Sequence, residues 1–129
     1  MAAPAYRKQL SKRGRFDWSK ARLLHEAGVE YWDSWLHSRE VQADTARGLC
    51  FSHGMLAFAA AQAGEGVALA PIELVARLLR DRRLVVVDPH VLRTGLGYWL
   101  AWPKPSLRAL PEPARLFRDW IIEEADVKD

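Results

Sequence analysis

Ser52-His53-Gly54 is the stretch whose residue types and spacing could do chemistry. A hydroxyl, an imidazole and a glycine follow the short apolar run Leu49–Phe51 and precede the apolar residues 55–61. If a helix starts here with Ser52 as its cap, the N–H groups of His53, Gly54 and Met55 lack intrahelical acceptors. Gly54 leaves room for close approach, so an anion or carboxylate suits that end, with His53 as a further donor. The competing reading is that Ser52 simply caps the helix and His53 is exposed. Either way the chemistry is binding rather than turnover.

Other reactive residue types form no comparable pattern. His25, His37, His53 and His90 are spread without ligand spacing, so no metal site is expected. Glu123 and Glu124 are neighbours on a terminal helix and read as solvated. There is no GxGxxG, phosphate loop, HExxH or GxSxG. Gly64-Glu65-Gly66 follows a helix and precedes a strand, the wrong order to cradle a phosphate. No catalytic residue and no cofactor is therefore expected. The single cysteine, Cys50, excludes an internal disulfide framework, fits a reducing cytoplasm and reads as a small residue of a buried strand. Tyr98 and Leu100 alternate with Trp99 and Ala101 in a predicted strand. Core or interface packing is one reading of Tyr98, and lining a cleft is the other.

These residues need elements to hold them. Residues 48–71 read as strand, helix from about His53 to Ala63, glycine turn at Gly64, apolar strand Val67–Ala70 and a helix started by Pro71. That is a βαβ unit of a parallel sheet, and such units bind ligands beyond their strand ends. Upstream, Pro4–Arg13 reads as a helix ended by Gly14, Asp17–Lys20 as a capped turn and Arg22–His25 as a strand. Val29–Ser38 reads as a helix with Tyr31, Trp32, Trp35 and Leu36 on a broad apolar face, followed by a polar loop over 40–47. Downstream, Ile72, Val75, Ala76 and Leu79 have amphipathic helical spacing. Leu84–Val87 and Gly97–Trp102 read as strands, and Pro111–Ala125 as a last helix with Ala114, Phe117, Trp120 and Ile121 on one face. Helices between strands imply a layered α/β sheet with flanking helices rather than a helical bundle.

The chain of 129 residues is long enough for one domain with a real core. No apolar run reaches the ~18–20 residues that span a bilayer, so no membrane partner is expected. Net charge is +3 but uneven: residues 1–22 hold seven Lys/Arg and one acid, giving +6, and the other 107 residues carry −3. Such an arm could touch nucleic acid, although a charge run is more often a solvated face.

In series, these segments resemble LysR-type transcriptional regulators, in the branch of the glycine-cleavage activator and the β-lactamase-induction regulator. Ala3-Pro4-Ala5-Tyr6 is similar to the "SPAY" that opens the second lobe of their effector domain, and Leu23-Leu24-His25 to its "LLH" strand. Tyr31–Leu36 is similar to the "W..W." helix and Gly48–Phe51 to "GLRF". Gly97–Leu100 resembles "Y-Y/W-L-V" and Phe117–Ile121 the closing "FRDWL". AFAAAQAGEGVALAP resembles the second-lobe signature.

The resemblance implies half of a periplasmic-binding-protein-like (type 2) fold. Residues 1–103 would be the second lobe and 104–129 a C-terminal return segment, with the helix-turn-helix domain and first lobe not in this chain. It implies an effector-sensing role in transcription regulation, with a small-molecule effector at Ser52, His53, Gly54 and Tyr98. Relatives often carry Asp-Ser-Ser or Asp-His-Ser where this chain has Ser52-His53-Gly54, so a hydroxyl at 54 is lost. Binding by this chain alone should be weak, and DNA would be reached only through the domain not present here. The apolar face of the last helix implies a homo-oligomer, or a helix folded back on its own lobe. A free-standing small-molecule-binding or protein-interaction module with the same half-fold is the alternative.

Overall fold

In the computed structural model, residues 1–95, 97–104 and 109–126 are described, and they fall into two compact units, 1–92 and 93–129. The first unit is organised around β3 (Leu23–Glu26), which lies between β4 (Gly48–Phe51) and β5 (Val67–Ala68), all parallel. Register pairs Leu23 with both Gly48 and Val67, and Leu24 with Leu49 and Ala68. The predicted βαβ unit is therefore present, but its two strands flank β3 instead of pairing with each other.

Alternation along the strands divides the core in two. Leu23 and Val67 enter a cluster with Tyr6, Trp32, Trp35 and Leu36, supplied by α1 (Pro4–Leu10) and α2 (Glu30–Arg39). Leu24 and Ala68 enter the opposite cluster with Ala57, Phe58, Ala61 and Val75, supplied by α3 (Gly54–Gln62) and α4 (Ile72–Arg80). A strand covered on both faces must be apolar without a break, which is why residues 23–24 read as Leu-Leu. The Trp32 indole N–H donates to the Leu24 carbonyl at 3.0 Å, and the Arg22 N–H donates to the Tyr6 hydroxyl at 2.9 Å. Both buried aromatics thus keep a partner for their polar atom.

Neighbouring strands come close to β3 because the flanking residues are glycines. A Cβ at Gly48 would lie 1.8 Å from the Leu23 carbonyl oxygen, and one at Gly66 would lie 2.4 Å from that of Arg22. These obstacles are backbone atoms and cannot rotate away.

Several sequence expectations are corrected. The first helix stops at Leu10, and the chain turns into a short antiparallel hairpin, β1 (Ser11–Lys12) and β2 (Arg15–Phe16). Two consecutive positive φ values, 51° at Arg13 and 78° at Gly14, make the turn that a two-residue hairpin loop requires. Leu84–Val87 forms no strand; Val85 makes an isolated antiparallel bridge with Ala2. Gly97–Trp102 has no regular secondary structure. Cys50 is exposed, because β4 is an edge strand without a covering layer over that residue. On α4 the buried side is Val75 with half-buried Leu78 and Leu79, while Ile72 and Ala76 face solvent. On α2, Tyr31 is likewise exposed. In the second unit, α5 (Glu112–Asp126) carries Phe117 and Trp120 with ring centroids 5.8 Å apart, and Arg118 lies over the Trp102 ring at 5.4 Å.

Residues 1–3 are threaded into the first unit. The Met1 ammonium donates to the Ala68 carbonyl at 2.7 Å, and the Ala68 N–H returns to the Met1 carbonyl at 2.9 Å. Ala2 and Val85 exchange bonds of 3.0 and 2.8 Å, and Ala3 N–H donates to Ala61. Burial pushes the Met1 amine down from 8.0 to about 5.

Two predictions follow from these contacts. Gly48→Ala and Gly66→Ala should each cost about 1–3 kcal/mol in denaturant unfolding, the range for overpacking, whereas Gly97→Ala, with nothing within 4 Å of its Cβ position, should cost little. The depressed Met1 amine also makes stability pH-dependent. The unfolded chain takes up a proton as pH falls through 8.0, and the folded chain resists it until about 5. Stability is therefore full above the unfolded value and falls across this window by up to about 4 kcal/mol. In protein retaining Met1, acetylating the amine should flatten the slope between pH 8 and 5; equal slopes with and without acetyl would refute the assignment.

Candidate functional site

Parallel strands end together, so the C-terminal ends of β3 and β4 form one edge, and α3 begins there. Glu26 and Phe51 are the paired last residues of the two strands, and the Ala27 N–H donates to the Phe51 carbonyl at 2.9 Å. Ala27 has φ 56°, a left-handed conformation unusual for a residue with a Cβ.

Ser52, His53 and Gly54 follow Phe51 directly. Ser52 is not the helix cap. His53 occupies the N-cap in extended conformation with no side-chain capping bond, and α3 starts at Gly54. The Ser52 hydroxyl instead bonds His53 Nδ1 at 2.9 Å, which fixes the orientation of the imidazole. The Leu56 N–H is taken by the His53 carbonyl at 3.1 Å. Those of His53, Gly54 and Met55 find no acceptor among the described residues, as the sequence suggested. Three consecutive donors at a helix N-terminus make a region of positive potential.

A group the sequence reading did not single out stands beside them. A Cβ at Gly54 would lie 2.7 Å from the Glu26 carboxylate, so that carboxylate rests against the start of α3. Glu26 makes no ion pair among the described residues. Glu26 is the last residue of β3, two positions after Leu24, and a charge ending a buried parallel strand falls at its carboxyl edge. The missing side chain of Gly54 therefore accommodates Glu26. His25, one residue earlier, points to the opposite face; it is buried with both ring nitrogens unpartnered, and its Nε2 lies 3.1 Å from a Cβ at Gly48. Tyr98 belongs to the second unit, where it is 79% exposed. Among the described residues no group of three or more His, Cys, Asp or Glu could hold a metal ion. No helix among them is long and apolar enough to cross a membrane.

The parallel sheet with helices on both faces has the architecture of a periplasmic-binding-protein-like fold. In fold the chain is similar to the effector domain of the transcriptional regulator AmpR of Pseudomonas aeruginosa, with TM-score 0.72 and 22% identity, over 98% of this chain and 60% of that one. Residues 9–126 match the LysR substrate binding domain, and the chain belongs to that family. It is 30% identical over 105 residues to the HTH-type transcriptional activator AmpR of Enterobacter cloacae, covering 79% of this chain and 35% of that protein. It is 29% identical over 110 residues to a carbapenem-hydrolyzing beta-lactamase transcriptional activator, also of Enterobacter cloacae, covering 84% and 37%. The chain thus spans about a third of the length of these relatives, which are named as regulators rather than enzymes.

The obstacle at Gly54 is the far end of a flexible side chain, unlike that at Gly48. Gly54→Ala should therefore change stability by less than about 1 kcal/mol, with lost contact offset by gained helix propensity. A loss as large as that of Gly48→Ala would show that the Glu26 carboxylate is held rigidly.

Proposed function

We propose that this chain is the effector-sensing lobe of a LysR-type transcriptional regulator, acting by binding rather than by catalysis. The observation that carries the reading is the set of free N–H groups at His53, Gly54 and Met55, placed at the carboxyl edge of a parallel sheet. In this reading Ser52, His53 and Gly54 receive an acceptor group of a small-molecule effector. Glu26 adds a requirement: beside the donors stands an acceptor, so the effector must also carry a donor or a cationic group.

Residues 1–103 would form the lobe and 104–129 the return segment. The regulator would work in the cytoplasm and reach its operator through a helix-turn-helix domain. The exposed face of α5, with Leu116, Phe117 and Trp120, supports self-association of the chain. A monomer by light scattering, with Trp120 fully accessible to quencher, would contradict both association and a folded-back helix.

A thermal-shift and calorimetric screen with amino acids, short peptides and small carboxylates tests the binding role. Weak, millimolar-range binding that is reduced at least tenfold by His53→Ala is expected for one wall of a cleft. Glu26→Gln should weaken zwitterions more than simple carboxylates. Sub-micromolar affinity for the chain alone, or hits indifferent to both substitutions, would overturn the assignment.

A further inference from the structure

We propose that the β1–β2 hairpin is a docking surface for the phosphate backbone of duplex DNA, contributed by the sensing lobe itself and independent of sequence. Seven basic residues lie within residues 1–22. Two of them are paired: Lys20 lies 3.6 Å from Asp17 and Arg22 3.2 Å from Glu65. The other five, Arg7, Lys8, Lys12, Arg13 and Arg15, are exposed and have no carboxylate partner among the described residues.

The hairpin presents three of the five against local preference. Lys12 and Arg15 are direct cross-strand partners. Two like charges in that position are ~4.5–5.5 Å apart at Cβ and repel. Arg13 takes φ 51° in the turn, where Asn, Asp or Gly is the usual choice. Nothing within the described residues compensates for either feature, and an anion lying across the hairpin would. Alternation fixes the direction of the charges. Phe16 is half-buried and packs on Trp18 with centroids 4.9 Å apart, so Lys12 and Arg15, on the opposite face, are turned outward. Trp18 in turn meets Trp35 at 4.9 Å and Trp32 at 6.1 Å, and the Asp17 N–H donates to the Leu10 carbonyl at 2.8 Å. The Ser11 hydroxyl donates to the Arg7 carbonyl at 2.7 Å, tying the hairpin to the helix turn that carries Arg7 and Lys8. The charges are therefore mounted on a stiff base.

The chemistry of the surface selects among polyanions. Single strands are held by stacking on exposed aromatics, and here Phe16 and Trp18 are turned into the aromatic core. A membrane-inserting hairpin carries apolar tip residues, and this tip reads Lys12-Arg13-Gly14-Arg15. A rigid, purely cationic tip suits the regularly spaced phosphates of a duplex.

Fluorescence anisotropy of a random-sequence 30-base-pair duplex with the whole chain tests this. Five phosphate contacts give a log–log salt slope of about −4.5, so affinity should fall by about 500-fold between 50 and 200 mM salt. Lys12→Gln/Arg13→Gln/Arg15→Gln should weaken binding at 50 mM at least tenfold and bring the slope to about −2. Lys12→Gln alone relieves the like-charge pair and should leave the melting temperature unchanged or raised while reducing the slope by about one, which separates a binding defect from misfolding. Arg82→Gln/Arg83→Gln, removing two cations elsewhere, should leave binding unchanged. Equal losses from the two sets, no binding at 20 mM salt, or tighter binding to vesicles containing phosphatidylserine would each overturn the proposal. Effector binding by the His53 region is untouched by the hairpin variants, so the two assignments fail separately.

Discussion

Everything in the first unit depends on β3 being buried on both faces. Leu23 and Leu24 point to opposite sides, and each is the centre of a separate apolar cluster. Burying such a side chain is worth roughly 1.5–3 kcal/mol, which is gained on each face only if a helix layer covers it. The two layers are thus consequences of one dipeptide. Gly48 and Gly66 meet the same constraint from either side, since a side chain at either position would collide with the β3 backbone. The strand also sets the location of the candidate site. Its last residue, Glu26, and its paired neighbour Phe51 define the edge from which α3 departs.

Polar satisfaction is nearly complete inside this arrangement and shows how the connections are held. The Trp35 indole N–H donates to the His90 carbonyl at 3.1 Å, His90 Nε2 meets the Ser38 hydroxyl at 2.9 Å, and Asp88 joins Arg39 at 3.2 Å. Residues 88–90 have no regular structure of their own and are fastened to the end of α2 by these bonds. The N-terminal residues do the equivalent on the other side, bridging β5 and Val85. Backbone groups that a longer strand would have paired are paired here by a short crossing segment.

The parts legible in the sequence are those where one segment carries its own pattern. Leu23–His25, the Trp32–Trp35–Leu36 face and the apolar helix before Gly64 are each encoded locally, and each forms near its expected bounds. The misses are positions whose state depends on a distant partner. Leu84–Val87 and Gly97–Trp102 have the composition of strands, yet strand formation needs a neighbour at hydrogen-bonding distance. Cys50 carries no sign that β4 lies at an edge. Ser52 and His53 both fit the capping position by geometry, and the hydroxyl goes to the imidazole instead of the backbone. Glu26 became visible as a site group only once β3 and α3 were brought together.

Where local rules are broken, the breaks are not scattered. Of the four non-glycine residues with positive φ among the described residues, Glu40 and Arg82 lie just past the C-terminal ends of α2 and α4, where that conformation is ordinary. The other two are Ala27, beside Glu26 at the carboxyl edge of the sheet, and Arg13, at the tip of the hairpin. At that edge the Glu26 carboxylate has no ion pair among the described residues, and the hairpin holds a like-charge cross-strand pair. The hairpin conflicts with local preference twice, in the left-handed Arg13 and in its like-charge pair, which points to it as a place shaped by something other than folding. Left-handed backbone meets an unpaired charge both at the hairpin tip and beside Glu26, while the unpartnered His25, the residue before Glu26 in β3, is turned to the opposite face of the sheet and buried there.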